Sequence, residues 1–175
     1  MVNLFAGGNS VLDIDLSKIE GLRVFINFAW KKIPHRFIDV LIWGDDFVGH
    51  VLADDLKEKP PYMLVCYKGN AGLANKWVDD VMDYDKGRFT LIWALRWIRE
   101  NFPDEEITIY GLDGDGKDYY DGWAVRTHPY LNSENKEMRL KLEAIQRCYS
   151  ELDAIEDRGG IFVAEGSAYR GFPCR

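Results

Sequence analysis

The sequence predicts an α/β fold in which one mainly parallel sheet of about six strands is flanked by helices. Short apolar runs recur along the chain, and most are continuous rather than alternating, as in strands that are covered on both faces. Gly, Asp or Asn ends or follows several of these runs, which is typical of tight turns from a strand to a helix. Two amphipathic segments complete the pattern, because strands that alternate with helices form parallel sheets.

Six segments are predicted as strands because each is a short, mostly uninterrupted apolar run. In chain order they are Val2–Ala6, Leu22–Asn27, Asp39–Gly44, Tyr62–Tyr67, Ile107–Leu112 and Ile161–Glu165. Loops are predicted at Lys57–Pro61 and Gly69–Gly72, where Pro and Gly interrupt the pattern. Two further segments have the apolar spacing of helices.

Two helices are predicted there. The first covers Arg88–Phe102, where apolar residues recur at helical spacing and only a narrow edge is charged, so we expect it to be well buried. Pro103 ends this helix because it has no N–H to donate. The second helix begins after the N-cap signal Asn132-Ser133-Glu134 and runs to about Leu152.

Length and composition predict one soluble domain over residues 1–175. A chain of 175 residues can bury a core without disulfides or metals. Six Trp, nine Tyr and nine Phe exclude intrinsic disorder. The absence of a long apolar run predicts no membrane span, and the absence of a signal peptide predicts a cytoplasmic protein. Four tryptophans are more than a small monomer must expose, so a homo-oligomer is kept as an alternative: Trp30, Trp43, Trp77 and Trp123.

Charge and cysteine content disfavour two classes of protein. Lys and Arg number 22 against 29 Asp and Glu, so the net charge of −7 disfavours binding to nucleic-acid backbones. Three cysteines show neither CxxC nor Cys/His spacing, which indicates idle thiols in a reducing compartment rather than a zinc site. They are Cys66, Cys148 and Cys174.

Ligands of open parallel sheets bind beyond the carboxyl ends of the strands, so the residues that follow the strands form the candidate site. Directly after the first strand comes Ala6-Gly7-Gly8-Asn9-Ser10. Its two glycines would let a phosphate approach backbone N–H groups, and Asn9 and Ser10 add side-chain donors. The spacing is neither the phosphate loop of nucleoside triphosphatases nor the dinucleotide fingerprint, and an ordinary strand-to-loop turn is the alternative interpretation.

Polar residues follow two further strands. Asn27 ends the second strand within an apolar run, and a buried Asn needs a partner, so it either caps a loop or contacts a ligand. Asp45 and Asp46 follow the third strand, where paired carboxylates hold a metal, bind a ribose or simply serve a turn.

The strand that ends near Leu112 leads into an acidic loop. The loop fails the EF-hand pattern, because Lys117 and Asp118 fall at its fifth and sixth positions and Ala124 replaces the closing Glu. Beyond it lies His128, whose position after a polar, Tyr-rich loop at the ligand edge suits a general base; a structural or surface role is the alternative. His35 and His50 have no such context and are interpreted as structural or surface residues.

Together these segments resemble a superfamily that includes small bacterial CMP-sialic-acid-type sialyltransferases, 6-hydroxymethylpterin pyrophosphokinase-like proteins and many phage members. Its opening strand, Gly-x-Gly-Pro-Ser-Leu turn and Ile-Asp-x-Ser-Lys/Arg-like segment are similar to FAGGNSVLDIDLSKI at residues 5–19. A second strand that ends in Asn resembles VFINFAW, and a buried helix that opens on Thr or Ser resembles RFTLIWALRWIRENF. A strand ending in Gly-hydrophobic-Asp resembles ITIYGLD, and the closing strand resembles GIFVAEGSAYRGFP.

The resemblance implies a single Rossmann-like, nucleotide-binding domain and assigns roles by position. The turn residues Gly7, Gly8, Asn9 and Ser10, together with Asn27, would contact the nucleotide, and Thr90 and Asp113 would lie near its ribose or base. His128 would be the general base, and Tyr119 or Tyr120 would stabilise the departing phosphate. No metal belongs to this set.

Three functions follow as alternatives. The first is a metal-independent transferase, most concretely a glycosyltransferase that uses a nucleotide-activated sugar donor, with phosphate on the glycine turn and the acidic loop facing base, ribose or acceptor. The second is a pyrophosphokinase-like enzyme whose Mg²⁺, bridging ATP phosphates, is held by some of Asp45, Asp46, Asp113 and Asp115. The third is a non-catalytic, phage-encoded nucleotide-binding or sequestering protein of the host cytoplasm, which the absence of a sialyltransferase-type lid favours.

Overall fold

The computed structural model describes residues 1–84, 89–113 and 134–175, and for residues 134–142 it describes the helical backbone alone. Within these ranges, seven parallel strands form one sheet in the order β5-β4-β3-β2-β1-β6-β7. The strands are β1 Val2–Phe5, β2 Leu22–Ile26, β3 Val40–Trp43, β4 Met63–Tyr67, β5 Asp80–Met82, β6 Ile107–Tyr110 and β7 Ile161–Val163. The predicted α/β fold class is therefore confirmed, and the architecture is Rossmann-like.

The sequence predicts about six strands, whereas the described ranges contain seven. The additional strand is β5, which has no apolar run by which the sequence could have identified it. Its three residues begin with Asp80, and Val81 is 52% exposed at the edge of the sheet. What holds the strand is tertiary structure. It pairs with β4 through Cys66↔Val81, and Asp80 accepts a hydrogen bond of 2.6 Å from the indole N–H of Trp97.

Three α-helices flank the sheet within the described ranges: α1 Asp46–Asp55, α2 Thr90–Asn101 and α3 Glu134–Asp153. The predictions for α2 and α3 are confirmed to within two residues at each end. Helix α1 was not predicted, partly because Gly49 disfavours a helix interior. A Cβ at Gly49 would lie 2.1 Å from the carbonyl oxygen of Ala71, so the glycine lets the loop after β4 pack against α1.

The sheet separates two apolar cores. One face packs against α2 and α3, and the buried residues of α2 include Leu91, Leu95 and Ile98, as its helical spacing predicts. The other face packs against α1 and a series of short 3₁₀ turns. Because both faces are covered, the strands are apolar on both sides, which explains their continuous apolar runs.

The strand order changes direction at β1. From β1 the chain adds β2 to β5 on one side, then crosses back through α2 to place β6 and β7 on the other side. Helix α2 packs over β1, β2 and β3 during this return. The carboxyl ends of β1 and β6 therefore form the topological switch point, where ligands of such sheets bind.

The tryptophans do not support a homo-oligomer. Trp30, Trp43 and Trp77 are buried inside the chain, at 6%, 0% and 9% exposure, and Trp123 lies outside the described residues. The indole N–H of Trp43 donates to the carbonyl oxygen of Asn70 at 2.7 Å, so this side chain also connects β3 to the loop after β4.

None of the helices in the described ranges is long and apolar enough to cross a membrane.

Candidate functional site

The loops after β1 and β6 are joined across the switch point. The backbone N–H of Gly8 donates to the carbonyl oxygen of Gly111 at 3.0 Å. The backbone N–H of Ser10 donates to Asp113 Oδ2 at 2.9 Å, and the Ser10 hydroxyl donates to Asp113 Oδ1. Four predicted site positions, Gly7–Ser10, are thus brought to a fifth, Asp113, more than 100 residues along the chain.

Gly8 packs against this carboxylate. A Cβ at Gly8 would lie 2.4 Å from the carbonyl oxygen of Gly111 and 2.6 Å from the carboxyl carbon and Oδ2 of Asp113. The backbone of Gly8 is extended, with φ −70° and ψ 149°, so the glycine is needed for close approach and not for an unusual conformation. The sequence predicts that a ligand phosphate approaches Gly8. In the structure, the Gly111 carbonyl and the Asp113 carboxylate occupy that space.

Gly111 explains how Asp113 reaches the β1 turn. Its φ of +75° is in the left-handed region, where glycine is favoured, and a Cβ there would lie 2.6 Å from Val11 Cγ2. The next residue, Leu112, is buried in the core beside α2 and α3. Its carbonyl oxygen accepts hydrogen bonds from the Tyr149 hydroxyl at 3.2 Å and the Ala168 N–H at 2.8 Å. In the Gly-hydrophobic-Asp motif, Gly111 therefore makes the turn, Leu112 is fixed in the core, and Asp113 directs its carboxylate back to the β1 turn.

Asn27 follows β2, the strand next to β1, and carries an unpaired acceptor. Its φ of +53° is left-handed, which Asn tolerates better than most residues. Its backbone N–H donates to the carbonyl oxygen of Ile42 at 2.8 Å. Its side-chain Oδ1 is buried and has no hydrogen-bond partner among the described residues. A buried acceptor that has no partner costs about 1–3 kcal/mol, so this oxygen is a candidate to accept a hydrogen bond from a ligand.

Thr90 lies farther along the same edge, beside the exit of β3. A Cβ at Gly44, the residue after β3, would lie 3.0 Å from Thr90 Oγ1 and 2.1 Å from the ring of Trp93. Trp93 stacks on Tyr67 with ring centroids 4.3 Å apart, and its indole nitrogen is buried without a partner among the described residues. The β3 exit is two strand spacings, ~10 Å, from β1, so Thr90 belongs to the same edge but not to the Ser10–Asp113 contact.

Of the four carboxylates proposed for Mg²⁺, the three that the structure describes do not converge on one ion. Asp45 caps α1, because its side chain accepts the Phe47 N–H at 2.9 Å, and Asp46 Oδ2 lies 3.2 Å from His50 Nε2. Asp113 follows β6, three strand spacings or ~14 Å from the β3 exit, which is too far for one ion with oxygen ligands at ~2.1 Å. Across the described ranges, His, Cys, Asp and Glu form no group of three that could hold a metal.

The predicted catalytic residues His128, Tyr119 and Tyr120, like Asp115, lie outside the described residues, so their roles remain predictions. Sequence reasoning missed Trp93 and the direct contact between Ser10 and Asp113. The glycines of the two turns allow their loops to meet, but nothing local in the sequence shows that β1 and β6 are neighbours.

Two of the three thiols, those of Cys66 and Cys148, are chemically quiet. Burial raises the pKa of the Cys66 thiol to about 11, and burial together with the carboxylate of Glu151 raises that of Cys148 to about 12. Both thiols stay protonated at neutral pH, and a protonated thiol is neither a nucleophile nor a metal ligand. This agrees with their interpretation as idle groups and leaves the carboxyl edge as the candidate site.

Comparison of the chain with protein-family models, with curated proteins and with solved structures gives no match in any of the three.

Proposed function

We propose that the protein binds a nucleotide or nucleotide sugar at the carboxyl edge of its sheet and acts as a transferase, most concretely a glycosyltransferase. One observation carries the proposal. The three polar segments expected to meet a ligand, Gly7–Ser10, Asn27 and Asp113, follow three neighbouring strands, β1, β2 and β6, at the switch point. Switch points of open α/β sheets are where nucleotides bind.

The chemistry of the edge suits the sugar part of a nucleotide. A carboxylate such as Asp113 accepts hydrogen bonds from hydroxyl groups, and a ribose or hexose offers several. The unpaired Oδ1 of Asn27 accepts one more, from a hydroxyl or from an amino group on a base. Thr90 adds a hydroxyl at the far end of the edge. The described part of the edge is therefore rich in acceptors.

The transfer step follows from the resemblance. The acceptor hydroxyl attacks the anomeric carbon of the donor, His128 takes the hydroxyl proton, and the nucleotide leaves with the bonding electrons. Tyr119 or Tyr120 donates a hydrogen bond to the departing phosphate, so the step needs no metal. All three residues belong to the segment that follows Asp113 directly in the sequence.

Calorimetric titration with CMP, CDP and ATP tests the binding site. We expect at least one of them to bind, and Asn27→Gly to weaken that binding about tenfold, or ~1.4 kcal/mol. Glycine keeps the left-handed backbone of Asn27 without strain and removes only the amide. Asn101→Gly is the control, because Asn101 ends α2 at the amino edge, where its side chain donates to the Trp97 carbonyl oxygen and to no other described residue. Unchanged binding by Asn27→Gly, or no binding by wild type, would refute the proposal.

The same titration in EDTA separates the transferase from the pyrophosphokinase-like alternative. The described carboxylates do not converge on one ion, so we expect EDTA to change nucleotide affinity by less than twofold. A tenfold loss that Mg²⁺ or Mn²⁺ restores would support the metal enzyme instead. A donor sugar nucleotide recovered intact after long incubation with acceptors would support the non-catalytic binding protein.

A further inference from the structure

The β1 turn already holds an anion, the carboxylate of Asp113. Both hydrogen-bond donors of Ser10 are directed at it: the backbone N–H reaches Oδ2 at 2.9 Å, and the hydroxyl reaches Oδ1. A Cβ placed on Gly8 would lie 2.6 Å from the same carboxyl group, so the space beside this glycine is taken by Asp113. These are the donors and the space by which a glycine turn would hold a phosphate.

A phosphate on this turn would therefore have to displace Asp113 or lie against it. Displacement would cost the two Ser10–Asp113 hydrogen bonds, and the Gly8–Gly111 hydrogen bond of 3.0 Å holds the same two loops together. Coexistence would place two negative groups in contact, and among the described residues no Lys or Arg forms an ion pair with Asp113 that would offset their repulsion. Within the described part of the chain, neither arrangement has a compensating contact.

We infer that the β1 turn holds Asp113 in place of phosphate, so that the sugar hydroxyls of the ligand meet Asp113 and the phosphate binds away from this turn. In this arrangement Ser10 is a positioning residue, which acts on the ligand only through Asp113. The inference rests on the proposed function and assigns the orientation of the ligand within the same site.

The remaining chemistry of Asp113 fits this role. A carboxylate has about four acceptor positions, and Ser10 takes two of them, which leaves positions for two sugar hydroxyls. The side chain is half-buried rather than enclosed, so a ligand can reach it. Because Ser10 binds both oxygens, the plane of the carboxylate is fixed before the ligand arrives, and less ordering is needed on binding.

The chain supplies a matched pair for the test. Ser17 donates its backbone N–H and its hydroxyl to Asp15, at 3.2 and 2.6 Å, in an exposed turn that belongs to no predicted site. Asp113→Asn and Ser10→Ala are compared with the controls Asp15→Asn and Ser17→Ala. The probes are whichever of CMP, CDP and ATP binds wild type most tightly and the nucleoside that corresponds to it, titrated by calorimetry or NMR.

We expect Asp113→Asn to weaken nucleotide and nucleoside binding by the same factor, about tenfold, because the lost contact is to the sugar that both share. Ser10→Ala should weaken both about threefold, and Ser10→Thr, which keeps the hydroxyl, should restore most of the affinity. The two controls should stay within twofold of wild type. Thermal melts establish that each variant is folded. If Asp113→Asn does not fold, the result for Ser10→Ala decides the test.

Three results would overturn the inference while leaving the proposed function standing. They are a gain in nucleotide affinity in Asp113→Asn, unchanged binding in both variants, or a loss in Ser10→Ala for the nucleotide but not for the nucleoside. The last result would place phosphate on the turn. If no nucleotide binds wild type, the proposed function itself fails, and the inference fails with it.

Discussion

His128→Ala should lower the turnover of a nucleotide-sugar donor by ~10²–10⁴-fold and leave donor affinity nearly unchanged. A general base acts in the transition state by taking the proton of the acceptor hydroxyl, so its loss changes turnover and not ground-state binding. Wild-type activity should rise as pH increases between about 5 and 8, because the imidazole must lose its proton before it can accept another. Release of CMP from CMP-sialic acid, the donor type that the resemblance indicates, measures the rate.

His50→Ala is the matched control for that experiment. His50 lies on α1, half-exposed, with Nε2 3.2 Å from Asp46, and it belongs to no predicted catalytic set. Its variant should keep wild-type turnover. If His128→Ala also keeps full turnover, or loses donor binding instead, His128 is a structural or binding residue and the catalytic assignment is wrong.

Gly8→Val should destabilise the fold by about 3 kcal/mol, the upper end of what overpacking costs, and lower the melting temperature by roughly 6–12 °C. Even the first carbon of the new side chain would lie 2.4 Å from the carbonyl oxygen of Gly111, and backbone cannot rotate away as a flexible side chain can. If Gly8 instead faced a ligand phosphate, as the sequence predicts, valine would block the ligand and leave the melting curve intact. Calorimetric or circular-dichroism melts measure the effect.

Gly159→Val controls for the general cost of replacing glycine with a branched residue. A Cβ at Gly159 would meet only Asp157 Oδ1, at an ordinary 3.6 Å, and its backbone is not left-handed. This variant should melt within a few degrees of wild type. Equal melting temperatures for Gly8→Val and wild type would show that the two loops separate readily. That result would contradict the tight packing of Asp113 against Gly8.

Sequence reasoning identified the elements whose residues are buried on both faces. Strands such as Val2–Phe5 and Val40–Trp43 were recognisable because every one of their side chains is buried. Strand β5 and helix α1 were not recognisable, since their stability depends on distant partners. β5 pairs with β4 and accepts a hydrogen bond from the indole of Trp97, and the reason for the glycine inside α1 is its close contact with Ala71.

The candidate site could also be predicted from the sequence only in part. The rule that ligands bind at the carboxyl ends of strands was sufficient to select the glycine turn, Asn27 and Asp113 from the sequence. The contact of Asp113 with Ser10 was not predictable, because it depends on β6 pairing directly with β1 in the register Phe5↔Tyr110. The pairing of two strands separated by about a hundred residues leaves no local signal in either one.

The most direct test of nucleotide binding at the switch point is an NMR titration that follows backbone amide signals as nucleotide is added. With the tightest binder among CMP, CDP and ATP, we expect the signals of residues 7–10, 27 and 111–113 to shift in proportion to occupancy. Amides at the amino edge, such as Leu22 and Ile107, should not move. Shifts confined to the amino edge or to the outer groove between Phe89 and Arg147, or no shifts with any of the three nucleotides, would contradict the account.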